Sequence, residues 1–197
     1  MGNFIIDIVN TGSGRIQIEC FVLFISYLKV CEFMPEFVKV AKLSDMQKVA
    51  DLAFNIWNEH YVPIIGQAQV DYMLAKFQSR QAIQEQIDNG SMYYLLRLGD
   101  EDIGYFSVNQ LQGKKALELS KLYIYENHRG KKIGREAIEF IQYLGRELGA
   151  EKILLSVNKY NPSIYAYESM GFCCREAVVQ DIGGGFVMDD YVYEKRL

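Results

Sequence analysis

Between residues 117 and 157 the chain switches twice between two hydrophobic periods, and one kind of unit satisfies both. Leu117, Leu119, Leu122 and Ile124 alternate as in a strand, within a stretch of about 117 to 125. Ile133, Ala137, Ile141, Leu144 and Leu148 then form a single stripe at helical spacing, which Gly149 ends. Ile153 to Val157 is a short apolar run suited to a buried strand. Strand, helix, strand in this order is a βαβ unit, with its strands parallel through a right-handed crossover. The first strand changes phase: its apolar residues fall on odd positions up to Leu119 and on even positions from Leu122. One inserted residue, a β-bulge near Ser120 and Lys121, accounts for that slip. A strand buried on both faces is the alternative.

The flanking segments fit around this unit. Ser44-Asp-Met-Gln47 reads as a capping box, and Val49, Leu52, Ala53, Ile56 and Trp57 follow at helical spacing. Pro63 and Gly66 break the pattern; Val70, Met73, Leu74 and Phe77 restore it, and Ile83 with Ile87 suggest a third helix. Tyr93–Leu98 and Ile103–Val108 flank a turn at Gly99-Asp-Glu-Asp102, as in an antiparallel hairpin. Asn161 (N-cap), Pro162 (first turn) and Gly171 (C′) bracket a short last helix. Two final strands, 172–182 and 186–194, form a hairpin around Gly183-Gly-Gly185. The class is therefore α/β (α+β), with no internal repeat.

Arg129-Gly-Lys-Lys-Ile-Gly134 lies where the first strand of the βαβ unit gives way to its helix. Backbone N–H groups at a helix start are free, and the helix dipole favours an anion there. Gly130 and Gly134 allow close approach, while Arg129, Lys131 and Lys132 add positive charge. No Gly-Lys-Ser/Thr ends the loop, so it is not a Walker P-loop, and it lacks the dinucleotide fingerprint.

With these elements in place, a resemblance is recognisable. Strand, Arg129-to-Gly134 loop, long helix, strand, Asn161 and Tyr167-Glu-Ser-Met-Gly171-Phe172 are similar to the acetyl-CoA-binding core of the GNAT N-acetyltransferases. The motifs run from about Glu118 to Phe172, and the resemblance extends plausibly over 36–197. It implies a mixed, mostly antiparallel sheet with a central parallel pair and flanking helices. It implies that residues 129–134 (Arg129, Gly130, Lys131, Lys132, Ile133, Gly134) hold the pyrophosphate of acetyl-CoA. Main-chain groups of Leu122, Tyr123 and Ile124, with Asn161, would meet the pantetheine arm. Tyr167 matches the family's general acid, and Glu118 matches a position where some members carry a general base; others use water. Lys132 stands where the family's loop usually has glycine, a replacement permitted if the backbone angle suits an L-residue. Tyr165, two residues from Tyr167, faces elsewhere on the helix. His60 and Glu59 end the first long helix near the usual acceptor site, where a surface helix end is the commoner explanation. His128 is read as structural.

Composition narrows the partners. A formal net charge of -4 and a pI near 5.3 argue against a nucleic-acid surface, which needs a basic stripe. The same balance is compatible with a cationic amine as acceptor, a small molecule such as a polyamine or amino compound. A protein N-terminal or lysine acetyltransferase and a non-catalytic CoA-binding sensor are the other readings. Cys20, Cys31, Cys173 and Cys174 lack the spaced pairs of a zinc site, so no metal is expected. Reduced thiols in a cytoplasmic protein are the default without a secretion signal. The apolar run from Cys20 ends at Lys29, well short of the ~20 residues of a membrane span. Residues 1–34 are read as an extension of unknown role, for which pairing at a sheet edge and packing on another subunit, as in a homodimer, are both open; the domain begins near Pro35.

Overall fold

The structure, a computed structural model, describes residues 34–111 and 113–197. The expectations for residues 1–33, including Cys20 and Cys31, lie outside the described residues.

The chain opens with β1 (Glu36–Lys39) and the long helix α1 (Leu43–His60). Met46, Val49, Leu52, Ala53, Ile56 and Trp57 bury one face of α1. Its start differs from the expected capping box. The helix begins at Leu43, which puts Ser44 inside the first turn, and Asp45 rather than Gln47 serves the N-terminus. The Asp45 carboxylate accepts from the backbone N–H of Lys42 at 3.2 Å. An acid one turn in satisfies a free amide and also favours the positive end of the dipole.

Two short helices follow, α2 (Val62–Ile65) and α3 (Gln67–Met73). The second expected helix does not run uniformly to Phe77: α3 passes into a wide π-turn at Leu74–Gln78. That turn carries Gln78 into the interior, where its side chain accepts from the Tyr105 hydroxyl at 3.2 Å. Ser79 then caps α4 (Arg80–Asp88) by accepting from the Ala82 N–H.

The strands are β2 (Met92–Leu98), β3 (Glu101–Leu111), β4 (Ala116–Ile124), β5 (Lys152–Asn158), β6 (Cys173–Gly183) and β7 (Phe186–Arg196). Between them lie α5 (Ile133–Glu147) and α6 (Ser163–Ser169). The β2–β3 turn is tighter than the four residues expected, because Asp102 joins β3 and ion-pairs with Arg97 and Lys48. Among the described residues, one seven-stranded sheet has the order β1-β2-β3-β4-β5-β7-β6, antiparallel throughout except for β4 and β5. β7 thus inserts between β5 and β6, leaving β6 at the edge with Cys173 and Cys174 exposed.

Each face of the sheet has its own core. On one, α5 lays Ile133, Ala137, Ile138 and Ile141 against Leu117, Leu119, Ile153 and Leu155. On the other, α1 and α3 pack on Tyr93, Leu95 and Tyr105. Each fully buried isoleucine contributes about 1.5–3 kcal/mol, so the α5 stripe alone fixes that helix firmly.

The β-bulge is present. Ser107 pairs with Lys121 and Val108 with Leu119, which leaves Ser120 as the extra residue. It has a consequence on the other edge of β4. The parallel ladder runs only from Ala116/Lys152 to Leu119/Leu155, after which both strands continue unpaired with each other. A wedge-shaped gap opens between them, with the start of α5 at its wide end.

Candidate acyl-transfer site

The loop from β4 to α5 begins with a short 3-10 turn, Glu126–His128, which buries His128. The side chain of Arg129 then folds back, its Nε donating to the Ile124 carbonyl at 2.9 Å. Its Nη1 lies 3.2 Å from Nδ1 of His60 at the end of α1. Burial, and then the Arg129 charge, hold the His60 imidazole below its ordinary pKa. A neutral ring can accept from the guanidinium, which orients Arg129 toward the loop. His60 is therefore more than a surface helix end, whereas Glu59 is exposed.

None of the backbone N–H groups of residues 130–134 has an acceptor among the described residues; the first donors of α5, Arg135 and Glu136, bond to the Lys132 carbonyl. Five consecutive amides therefore remain free at the positive end of a 15-residue helix. Such an arrangement binds anions. Lys131 and Lys132 are exposed on its rim, and Ile133 is a core side chain that offers only its main chain.

Lys132 corrects one expectation. It has φ 66 and ψ -2, the left-handed conformation that glycine favours, instead of an angle suited to an L-residue. The loop keeps the shape a glycine would give it and carries the strain, which costs roughly 1 kcal/mol. Lys132→Gly is expected to raise stability by about 0.5–1 kcal/mol, measured by urea unfolding. A loss of stability would show that the lysine side chain contributes packing or charge that outweighs the strain.

At the other side of the gap, α6 starts at Ser163 with Pro162 as its N-cap, so Asn161, the expected cap, lies one residue before that position and braces the turn that leads into the helix. Its Oδ1 accepts from the Ser163 N–H at 2.9 Å, and its Nδ2 donates to the Tyr61 hydroxyl at 3.0 Å. Burial pushes the Tyr61 phenol up to about 12. The far end of α6 closes in a Schellman motif. Phe172 N–H bonds to the Tyr167 carbonyl and Gly171 N–H to the Glu168 carbonyl, with Gly171 at φ 87. The Tyr167 and Phe172 rings meet edge to face, with centroids 5.7 Å apart. This clamp aims Tyr167 into the gap, where burial raises its phenol well above the ordinary value. Tyr165 is exposed.

Two adjoining cavities result. The first, about 360 Å³, runs from Arg129, Gly130 and Gly134 along Leu122, Tyr123 and Ile124 to Asn161 and Tyr167. The second, about 300 Å³, lies under α1 and α3 and includes Glu118, Asn158, Gln180 and Asp190. Tyr61, Tyr123, Asn161 and Tyr167 line both. The structure therefore brings most of the residues singled out from sequence to one cleft and sets Glu118 apart, in the neighbouring cavity. The Glu118 carboxylate accepts from Asn109 Nδ2 at 2.9 Å. Tyr61 and Asp190 were not singled out; no local spacing marks them, because the walls they form are assembled from distant segments. Among the described residues no group of three or more His, Cys, Asp or Glu is placed to hold a metal, and no helix is long and apolar enough to cross a membrane.

Residues 51–172 match the family model described as acetyltransferase (GNAT) family. An uncharacterized N-acetyltransferase, YdgE of Bacillus subtilis (strain 168), is 30% identical over 103 residues, which is 48% of this chain and 66% of that protein. Among solved structures, the PaiA N-acetyltransferase of Thermoplasma acidophilum, in complex with coenzyme A, superposes with a TM-score of 0.67 at 17% identity. That match covers 83% of this chain and 99% of that one. A GNAT-family acetyltransferase of Staphylococcus aureus Mu50 gives a TM-score of 0.62 at 17% identity, with 83% and 99% covered. The likeness to these structures is one of fold.

Proposed function

This chain belongs to the acetyltransferase (GNAT) family, and on that premise we propose that residues 35–197 transfer the acetyl group of acetyl-CoA to a primary amine of a small molecule. The observation that carries the reading is the run of five free amides, 130–134, at the mouth of the gap between β4 and β5. That geometry suits a pyrophosphate at the loop and an extended arm reaching inward. The edge of β4 at Leu122, Tyr123 and Ile124, paired with β3 but no longer with β5, receives the arm's amides, and Arg129 adds charge at its phosphate end.

The thioester then lies where the two cavities meet, beside Tyr167. An acceptor amine in the second cavity must first be neutral; Glu118, or a water it orders, takes its proton. The nitrogen lone pair attacks the thioester carbonyl, a C–N bond forms and the C–S bond breaks. Tyr167 delivers its proton to the departing sulfur, and the second proton that the nitrogen sheds as the amide forms restores the phenol. A phenol held above its ordinary pKa is fully protonated at neutral pH and ready to donate.

The test is release of free CoA thiol from acetyl-CoA across a panel of small amines and peptides. Turnover with at least one small amine, faster than with any peptide, is expected. Preference for peptides would mark a protein acetyltransferase. Tight CoA binding without turnover would mark a sensor.

A further inference from the structure

The second cavity holds a carboxylate that the mechanism above leaves unused. Asp190 sits on β7 opposite Asn158 of β5, on the face that also presents Met188. Its neighbour Asp189 is engaged by the Lys159 ammonium. Asp190 itself has no side-chain hydrogen bond or ion pair among the described residues, although it is partly buried and lines the cavity. Burial, and then Asp189 beside it, raise its pKa, and the Lys159 ammonium, engaged with Asp189, offsets this only in part.

The other charged groups of this cavity are Glu118 and Lys121. The Lys121 ammonium points away from it, toward the Tyr93 hydroxyl and Gln86, neither of which lines the cavity. Cationic compensation is therefore missing on the cavity side. Glu118 pairs with Leu154 of β5 and Asp190 with Asn158, four residues further along the same strand. At ~3.3 Å per residue that is about 13 Å along the strand direction. Two carboxylates thus stand at opposite ends of one chamber, one near the bulge and one near α6.

We propose that Asp190 is a specificity-determining residue that receives a second positive charge of the acceptor, so that the preferred substrate is an amine carrying another cationic group several bonds from the reacting nitrogen. This rests on the acetyl-transfer reading and names the acceptor class of the same site. A charge-assisted hydrogen bond to a partly desolvated carboxylate changes affinity about ten-fold or more. No such gain is open to an acceptor with a single amine.

The experiment compares α,ω-diaminoalkanes of increasing length with n-alkylamines of matched length, using acetyl-CoA and thiol release, in the wild type and in Asp190→Asn and Asp190→Glu. The wild type should favour diamines above a threshold length. Asp190→Asn should lower that preference about ten-fold, through the diamine KM rather than kcat, and Asp190→Glu should retain more of it. Equal preference in the wild type overturns the proposal without using any variant. So does an Asp190→Asn enzyme that keeps the preference, or one in which kcat falls alike for both classes. Thermal melting with CoA separates the two levels of inference. If CoA raises the melting temperature but neither amine class reacts, the dicationic acceptor is wrong and CoA binding stands. If CoA produces no shift, the underlying reading fails as well.

Discussion

Tyr167→Phe is expected to lower kcat about 100-fold, equivalent to about 2.7 kcal/mol of barrier, while leaving CoA affinity within about two-fold. The change removes one oxygen from a ring whose position is set elsewhere, by the Schellman closure of α6 and the edge-to-face contact with Phe172. The hydroxyl has no side-chain hydrogen-bond partner among the described residues, so phenylalanine leaves no polar group stranded. Stability should therefore hold, and the loss should fall on the chemical step. The effect is kept moderate because a thiolate is a fair leaving group, with thiol pKa values ordinarily near 8.5. Single-turnover rates of thiol release read it directly. An unchanged rate would mean that water protonates the sulfur and that Tyr167 is a packing residue.

Gly134→Glu should weaken CoA binding about 100-fold or more and leave the fold intact. A Cβ at Gly134 would meet only the Ile124 Cδ1, at 3.8 Å, an ordinary contact. The first turn of a helix also welcomes a carboxylate, by about 0.3–1 kcal/mol. Stability should thus stay level or rise while affinity falls, because the new charge stands among the amides meant for the pyrophosphate. Like charges so placed cost several kcal/mol, which is the basis for the magnitude. Isothermal titration with CoA and urea unfolding would separate the two effects. Unaltered affinity would place the anion elsewhere.

Much of this site could be read from local pattern. The phase slip between Leu119 and Leu122 announced the bulge, since a period-2 strand cannot change faces without an extra residue. Gly171 and Phe172 announced the closure of α6. Local rules misjudged the start of α1, because Asp45 and Gln47 both suit a capping role and only the surrounding chain decides which amide needs serving. They also could not foresee that Lys132 would take a left-handed angle at the N-cap of α5. The contact between His60 and Arg129 joins residues 69 apart, and the insertion of β7 between β5 and β6 is a matter of tertiary pairing. Asp190 became meaningful only once that insertion carried it to the cavity wall. One signal could have been noticed earlier. Lys121 is a charged residue in the middle of β4, and burial brings its pKa down to about 8.

The central claim is that the gap between β4 and β5, closed at one end by residues 129–134, holds the acyl donor. A crystal structure determined with CoA tests it most directly. The account predicts pyrophosphate oxygens within hydrogen-bond distance of the amides of residues 130–134, the pantetheine arm along Leu122–Ile124, and the sulfur beside Tyr167. CoA bound anywhere else on the chain, with those amides left free, would contradict it.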